Sequence, residues 1–137
     1  MRTVFIHLKT ATAGEVRAFL EEKFPSQYEP WVYWAGDDPC LYIDFYNEAA
    51  EEFSDSALAD IKKKFGAIPS TSLMVDVSGR HHGHSEVRDF ISLMLGEFDG
   101  LVQDDWSERF WTLDEVFSES VKIEDGTERA FFYRLAY

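Results

Sequence analysis

The stretch best equipped for chemistry is Ser78-Gly79-Arg80-His81-His82-Gly83-His84-Ser85, which sets three imidazoles within four positions. Imidazole binds zinc and its neighbours in the periodic table, and it titrates near neutrality, so such a cluster reads as a metal site or a general base. A divalent centre needs three or four ligands converging at about 2.0–2.2 Å, usually from separate parts of the chain. Adjacent His81 and His82 point apart in extended backbone, whereas His82 and His84 share a side and make a two-ligand clip. The third ligand would be Asp76, at the end of the preceding apolar run. A small metal-dependent hydrolase or metal-binding protein using His82, His84 and Asp76 is therefore the enzyme-side alternative. The helical H-E-x-x-H spacing that fixes two ligands on one face is absent.

A simpler reading makes the same residues a connector. Gly79 and Gly83 let the chain turn, Ser85 caps the helix that follows, and the histidines stand on the loop. Free N–H groups before a helix, with Arg80 nearby, could hold an anion, but neither G-x-G-x-x-G nor P-loop spacing is present. The connector reading is carried forward, with no catalytic residue and no cofactor assigned. Asp37-Asp38 and Asp104-Asp105 are paired carboxylates, which divide acid and base roles only where their environments differ. Solvated turns account for them more simply. No serine sits in a G-x-S-x-G elbow. Cys40 is the single cysteine, which excludes an internal disulfide and a thiolate zinc site and fits a reducing cytoplasm.

The elements that must position these groups follow from periodicity. Residues 3–8 form a β-rich run; the N-terminal apolar stretch is broken by His7 and Lys9, so it reads as a strand and not as a secretion signal. Val16, Phe19, Leu20 and Phe24 make one helical stripe that stops at Pro25. "WVYW" (31–34) and "CLYIDFY" (40–46) flank the turn-forming "AGDDP", a hairpin signal. Ser54 or Asp55 begins a helix carrying Leu58, Ile61 and Phe65, ended by Gly66. "SLMVDV" (72–77) is a strand, residues 85–98 an amphipathic helix, and "GLVQ" (100–103) a short strand. Thr112 caps a brief turn, and "VKI" with "AFFYRLAY" closes the chain as a hairpin. The expectation is a single α+β domain over residues 1–137. It is a two-layer sandwich with a ferredoxin-like βαββαβ core, an added α-β unit and a C-terminal hairpin.

Charge and aromatic content bear on function. Twenty-six acidic residues against thirteen Lys and Arg give a net charge of −13. Residues 97–137 hold eleven of the acids and four of the bases, so more than half of the imbalance sits in the last 41 positions. That field repels nucleic acid and anionic membrane and attracts a basic protein. No stretch approaches the roughly 20 apolar residues that cross a bilayer. The chain carries 12 Phe, 6 Tyr and 4 Trp. In "WVYW", Trp31 and Tyr33 face one side and Val32 and Trp34 the other, so one side of this strand could join two copies into a homodimer.

Residues 86–116, with Phe98-Asp99-Gly100, Asp104-Asp105-Trp106 and Trp111-Thr112-Leu113, resemble segments of small bacterial proteins of the immunity type found in toxin systems. The resemblance covers about a quarter of the chain. It implies a small cytoplasmic protein that neutralises a basic toxin without catalysis. In the most acidic third, Asp104, Asp105, Trp106, Glu108 and Trp111 combine carboxylates with aromatic anchors. These five are the expected partner-binding residues.

Overall fold

Strict alternation builds the sheet. In β1 (Arg2–Leu8), Val4, Ile6 and Leu8 are fully buried on one face, while Thr3, Phe5 and His7 take the other. In β4 (Thr71–Val77), Leu73, Val75 and Val77 share the first face and Ser72, Met74 and Asp76 the second. β2 (Trp31–Ala35) and β3 (Asp38–Phe45) form the expected hairpin, and β5 (Gly100–Asp104) completes a five-stranded sheet in the order β2-β3-β4-β1-β5. Every neighbouring pair is antiparallel. The computed structural model describes residues 2–104, 109–118, 121–122, 126 and 128–131.

Two helices cover the first, inner face. α1 (Ala13–Lys23) starts at a capping box in which the Thr12 hydroxyl accepts from the Glu15 N–H and the Glu15 carboxylate accepts from the Thr12 N–H. It buries Val16 and Leu20, with Phe19 and Phe24 half-buried beside them, so the stripe read from periodicity is the packing face. α4 (His84–Glu97) buries Val87, Phe90, Ile91 and Met94 on the same core. Each such side chain withdrawn from water contributes about 1.5–3 kcal/mol, and this one cluster gathers most of the buried apolar residues.

The expected two layers are corrected to three. After the short α2 (Ala49–Glu52), α3 (Asp55–Phe65) lies on the opposite, outer face and packs Ala57, Ile61 and Phe65 against Leu101 and Phe110. Ser54 caps α3 at the Ala57 N–H, and Gly66 ends it at φ 80. The strand order also differs from a ferredoxin-like core, which sets the first strand beside the third. Here β4 stands between β3 and β1, because the connection through α2 and α3 returns the chain directly alongside β3.

The start of α4 differs as well. Its N-cap is Gly83, not Ser85, which lies within the helix. Gly83 has φ 73, and a Cβ there would stand 2.4 Å from Val77 Cγ1. Both the backbone conformation and the close approach to β4 require glycine.

Beyond β5, Trp111 makes an isolated bridge to Val102, and α5 (Leu113–Phe117) begins at a second capping box, Thr112 with Glu115. β6 (Val121–Lys122) and β7 (Glu128–Arg129) pair antiparallel as a two-stranded hairpin. The strand that pairs with β6 thus precedes the one expected over 130–137, of which Ala130 and Phe131 lie outside any strand and 132–137 lie outside the described residues. Among the described residues, no helix is long and apolar enough to cross a membrane.

Candidate functional site

The histidine loop is pulled three ways. Nε2 of His81 lies 2.7 Å from Asp38 Oδ2, and Arg80 pairs with the other oxygen of that carboxylate. Arg2 donates to the Ser78 carbonyl at 3.0 Å and to the His81 carbonyl, tying the loop to the first strand. His82 is exposed. His84 turns back along α4, where Arg88 donates to its Nδ1 at 3.2 Å; burial and then the Arg88 charge push its pKa down. Asp76 belongs to the outer face and accepts from Thr3 Oγ1 at 2.7 Å. Thus His84 and Asp76 stand on opposite sides of the sheet, and a guanidinium occupies one of the two ring nitrogens of His84. Among the described residues no group of three His, Cys, Asp or Glu side chains is placed to hold a metal ion. The loop is a tethered connector.

Of the five residues expected to meet a partner, Asp105, Trp106 and Glu108 lie outside the described residues. The two that are described are interior. Asp104 is 2% exposed, and Trp111 is fully buried against Phe131, with the Arg109 guanidinium 5.0 Å from its ring centre. Cys40 is also buried, and that burial, followed by the Glu86 charge, raises its thiol pKa to about 11, so it is no nucleophile.

The outer sheet face carries the arrangement that sequence reading overlooked. Register aligns three cross-strand rows: Val32, Tyr42, Asp76 and Thr3; then Asp44, Met74, Phe5 and Gln103; then Ser72, His7 and Leu101. The third row is sealed. Phe53 and Phe110 meet the His7 ring edge-on at 5.1 and 5.6 Å, and α3 closes over Leu101. The cover thins at Tyr46, whose ring lies 5.1 Å from Phe5. Past it, Thr3, Val32, Tyr42, Asp44, Met74 and Asp76 are only half-buried, and Trp34 is 49% exposed at the margin. On the inner faces of these same strands Val4, Ile6, Trp31, Leu41, Ile43, Leu73, Val75 and Val77 are buried, with Tyr33 and Phe45 half-buried beside them.

This open half combines a pleated aromatic surface with uncompensated negative charge. Asp44 and Asp76 sit diagonally on neighbouring strands, and among the described residues neither pairs with a Lys or Arg. The Asp44 carboxyl is pushed above the ordinary range by burial, then by the Glu29 and Asp76 charges. A carboxylate held at a cost among aromatic rings favours any cation that approaches it. Comparison with protein-family models, with curated proteins and with solved structures finds no match. The reading of this face therefore rests on its chemistry alone. A signal was present in the text: "CLYIDFY" and "SLMVDV" each place a carboxylate on the face opposite their aliphatic residues, which is where an open sheet side would show.

A polar relay runs from row three to Gln103 of the second row. His7 Nε2 lies 2.7 Å from Gln103 Oε1, and His7 Nδ1 lies 2.7 Å from Ser72 Oγ. An amide oxygen can only accept, so Nε2 carries the proton and Nδ1 accepts from the Ser72 hydroxyl. Serine, imidazole and amide are thus in line, as a nucleophile, base and orienter would be. Burial lowers the His7 pKa to about 4 despite the Gln103 bond, and the ring is wholly inaccessible. So weak and enclosed an imidazole cannot draw a proton from serine at neutral pH. The relay satisfies buried polar groups and fixes the register of three strands.

Proposed function

We propose that this protein is a non-catalytic binding module that docks a basic protein partner on the open half of its outer sheet face, as an immunity protein does when it neutralises a cationic toxin. One observation carries the reading: Asp44 and Asp76, unpaired with any described base, lie among Val32, Tyr42, Met74 and Phe5. Aromatic area supplies the apolar contact of an interface core. The two carboxylates take up a partner's Arg or Lys, and Tyr42, opposite Asp76 in the register, adds aromatic surface beside that cation. The net charge of −13 adds long-range attraction, which speeds encounter and opposes nucleic acid as a competitor. A cytoplasmic setting with Cys40 reduced agrees with this role.

The test takes the product of the gene adjacent to this one as the candidate partner. Binding is followed by biolayer interferometry at about 50 and 300 mM NaCl, and association should slow at the higher salt. The double substitution Asp44→Lys, Asp76→Lys should weaken binding by about 100-fold or more with an unchanged circular dichroism spectrum. A double variant that binds like the parent removes the face as the docking site. If the adjacent product does not bind at all, the neutralising role fails with it.

A further inference from the structure

A cleft of about 320 Å³ opens at the far end of β1, between the C-terminal ends of α3 and α4 and the start of α5. Its volume is within the range of small-molecule sites. Phe65, Leu95, Leu101 and Leu113 supply apolar wall. The floor is held by Gly100, where a Cβ would meet the His7 carbonyl oxygen at 2.6 Å and Leu95 Cδ2 at 2.7 Å. β5 can therefore lie close against β1 only because this position has no side chain.

Four charged side chains edge the cleft, and they are not alike. Lys64 is already engaged, with Asp60 at 3.2 Å and the Phe110 carbonyl at 3.1 Å. The Lys9 ammonium and the Asp99 and Asp114 carboxylates make no ion pair or side-chain hydrogen bond among the described residues, although the Lys9 N–H bonds the Asp99 carbonyl at 2.9 Å. Opposite charges thus flank one hollow of mixed polar and apolar lining without an ion pair between them. A lone anion drawn to Lys9 would also face two carboxylates, and a lone cation drawn to those would face Lys9. A molecule carrying an ammonium and a carboxylate on one carbon meets both at once.

We propose that this cleft binds a small zwitterion with an apolar side chain, of the free α-amino acid class. Its carboxylate sits on Lys9, its ammonium between Asp99 and Asp114, and its side chain against Leu95, Leu101 and Leu113. This site lies apart from the protein-docking face and does not depend on it.

The probes are L-leucine and two analogues that each lack one charge, 4-methylpentanoate and 3-methylbutan-1-amine, titrated into uniformly ¹⁵N-labelled protein. Leucine should shift the amides of Lys9, Gly100, Leu101 and Leu113 saturably, and each analogue should bind about tenfold or more weakly. Lys9→Met should weaken leucine by a similar factor and largely abolish the response to 4-methylpentanoate. The unmodified protein with its two analogues keeps the test decisive should the variant fold poorly. Equal binding of leucine and 4-methylpentanoate would replace the zwitterion with a plain carboxylate and overturn the proposal. No saturable shift at about 20 mM leucine, or shifts confined elsewhere, would also overturn it.

Discussion

At the scale of single residues, His7 is the most consequential side chain. Its neutral form is required by burial and by the two hydrogen bonds that hold it. An unfolded histidine takes up a proton near pH 6.5, whereas this one resists until about pH 4. Between those values the unfolded chain binds more protons than the folded one, so stability falls as pH is lowered through that window. The loss attributable to His7 is on the order of 3 kcal/mol by pH 4, and none of it appears above about pH 7. Urea unfolding at pH 7, 5.5 and 4.5 measures it. His7→Phe should cost about 2–3 kcal/mol at pH 7, because it leaves Ser72 and Gln103 without their ring partner, and it should flatten the acid slope. An unchanged acid slope in that variant would show that the relay is not what the protein loses in acid. None of this was visible in the sequence, where His7 only interrupts an apolar run. Its meaning depends on Ser72 and Gln103, 65 and 96 positions away, and no local pattern reports such pairs.

At the scale of elements, the edge of the sheet explains why the "WVYW" strand does not read simply as a dimer interface. The Gln27 side chain accepts from the Val32 N–H at 2.7 Å and donates to the Val32 carbonyl at 3.3 Å, so it occupies the outward groups of β2 as a further strand would. Gln27→Ala should expose that pair, cost about 1 kcal/mol and promote pairing between copies. Sedimentation velocity should then give a larger weight-average coefficient than the parent at equal concentration. Equal coefficients would deny Gln27 this role. Elements of this kind were legible to the extent that their cause is local. The apolar stripes of α1 and α4, the Ser54 and Thr112 caps and the alternation of β1 and β4 are all set within a few residues. The position of β4 between β3 and β1 is not, because it depends on where α3 finds cover on the outer face. Similarly, Gly83 displaces Ser85 as the cap of α4 because Val77 presses against it, a contact between elements rather than a preference of the loop.

At the scale of the whole molecule, the net charge of −13 and the open sheet face express one condition: this chain folds against its own electrostatics. Raising NaCl from about 10 to 500 mM should therefore raise the thermal midpoint, since screening relieves repulsion in the compact state more than in the expanded one. Asp44 localises part of that burden. Its carboxyl pKa is raised in the folded state by burial, Glu29 and Asp76, so the folded protein is penalised for the Asp44 charge at neutral pH and relieved of the penalty once the group is protonated. Asp44→Asn should raise the midpoint at pH 7, and the advantage should shrink as pH falls through the carboxylate range, where the parent loses the same charge. Part of the salt effect should vanish in the variant, because one source of repulsion has already been removed. The same substitution should weaken the basic partner. A variant that is more stable and also binds undiminished would separate the two properties, and the outer-face carboxylate would then be a cost of folding with no return in recognition.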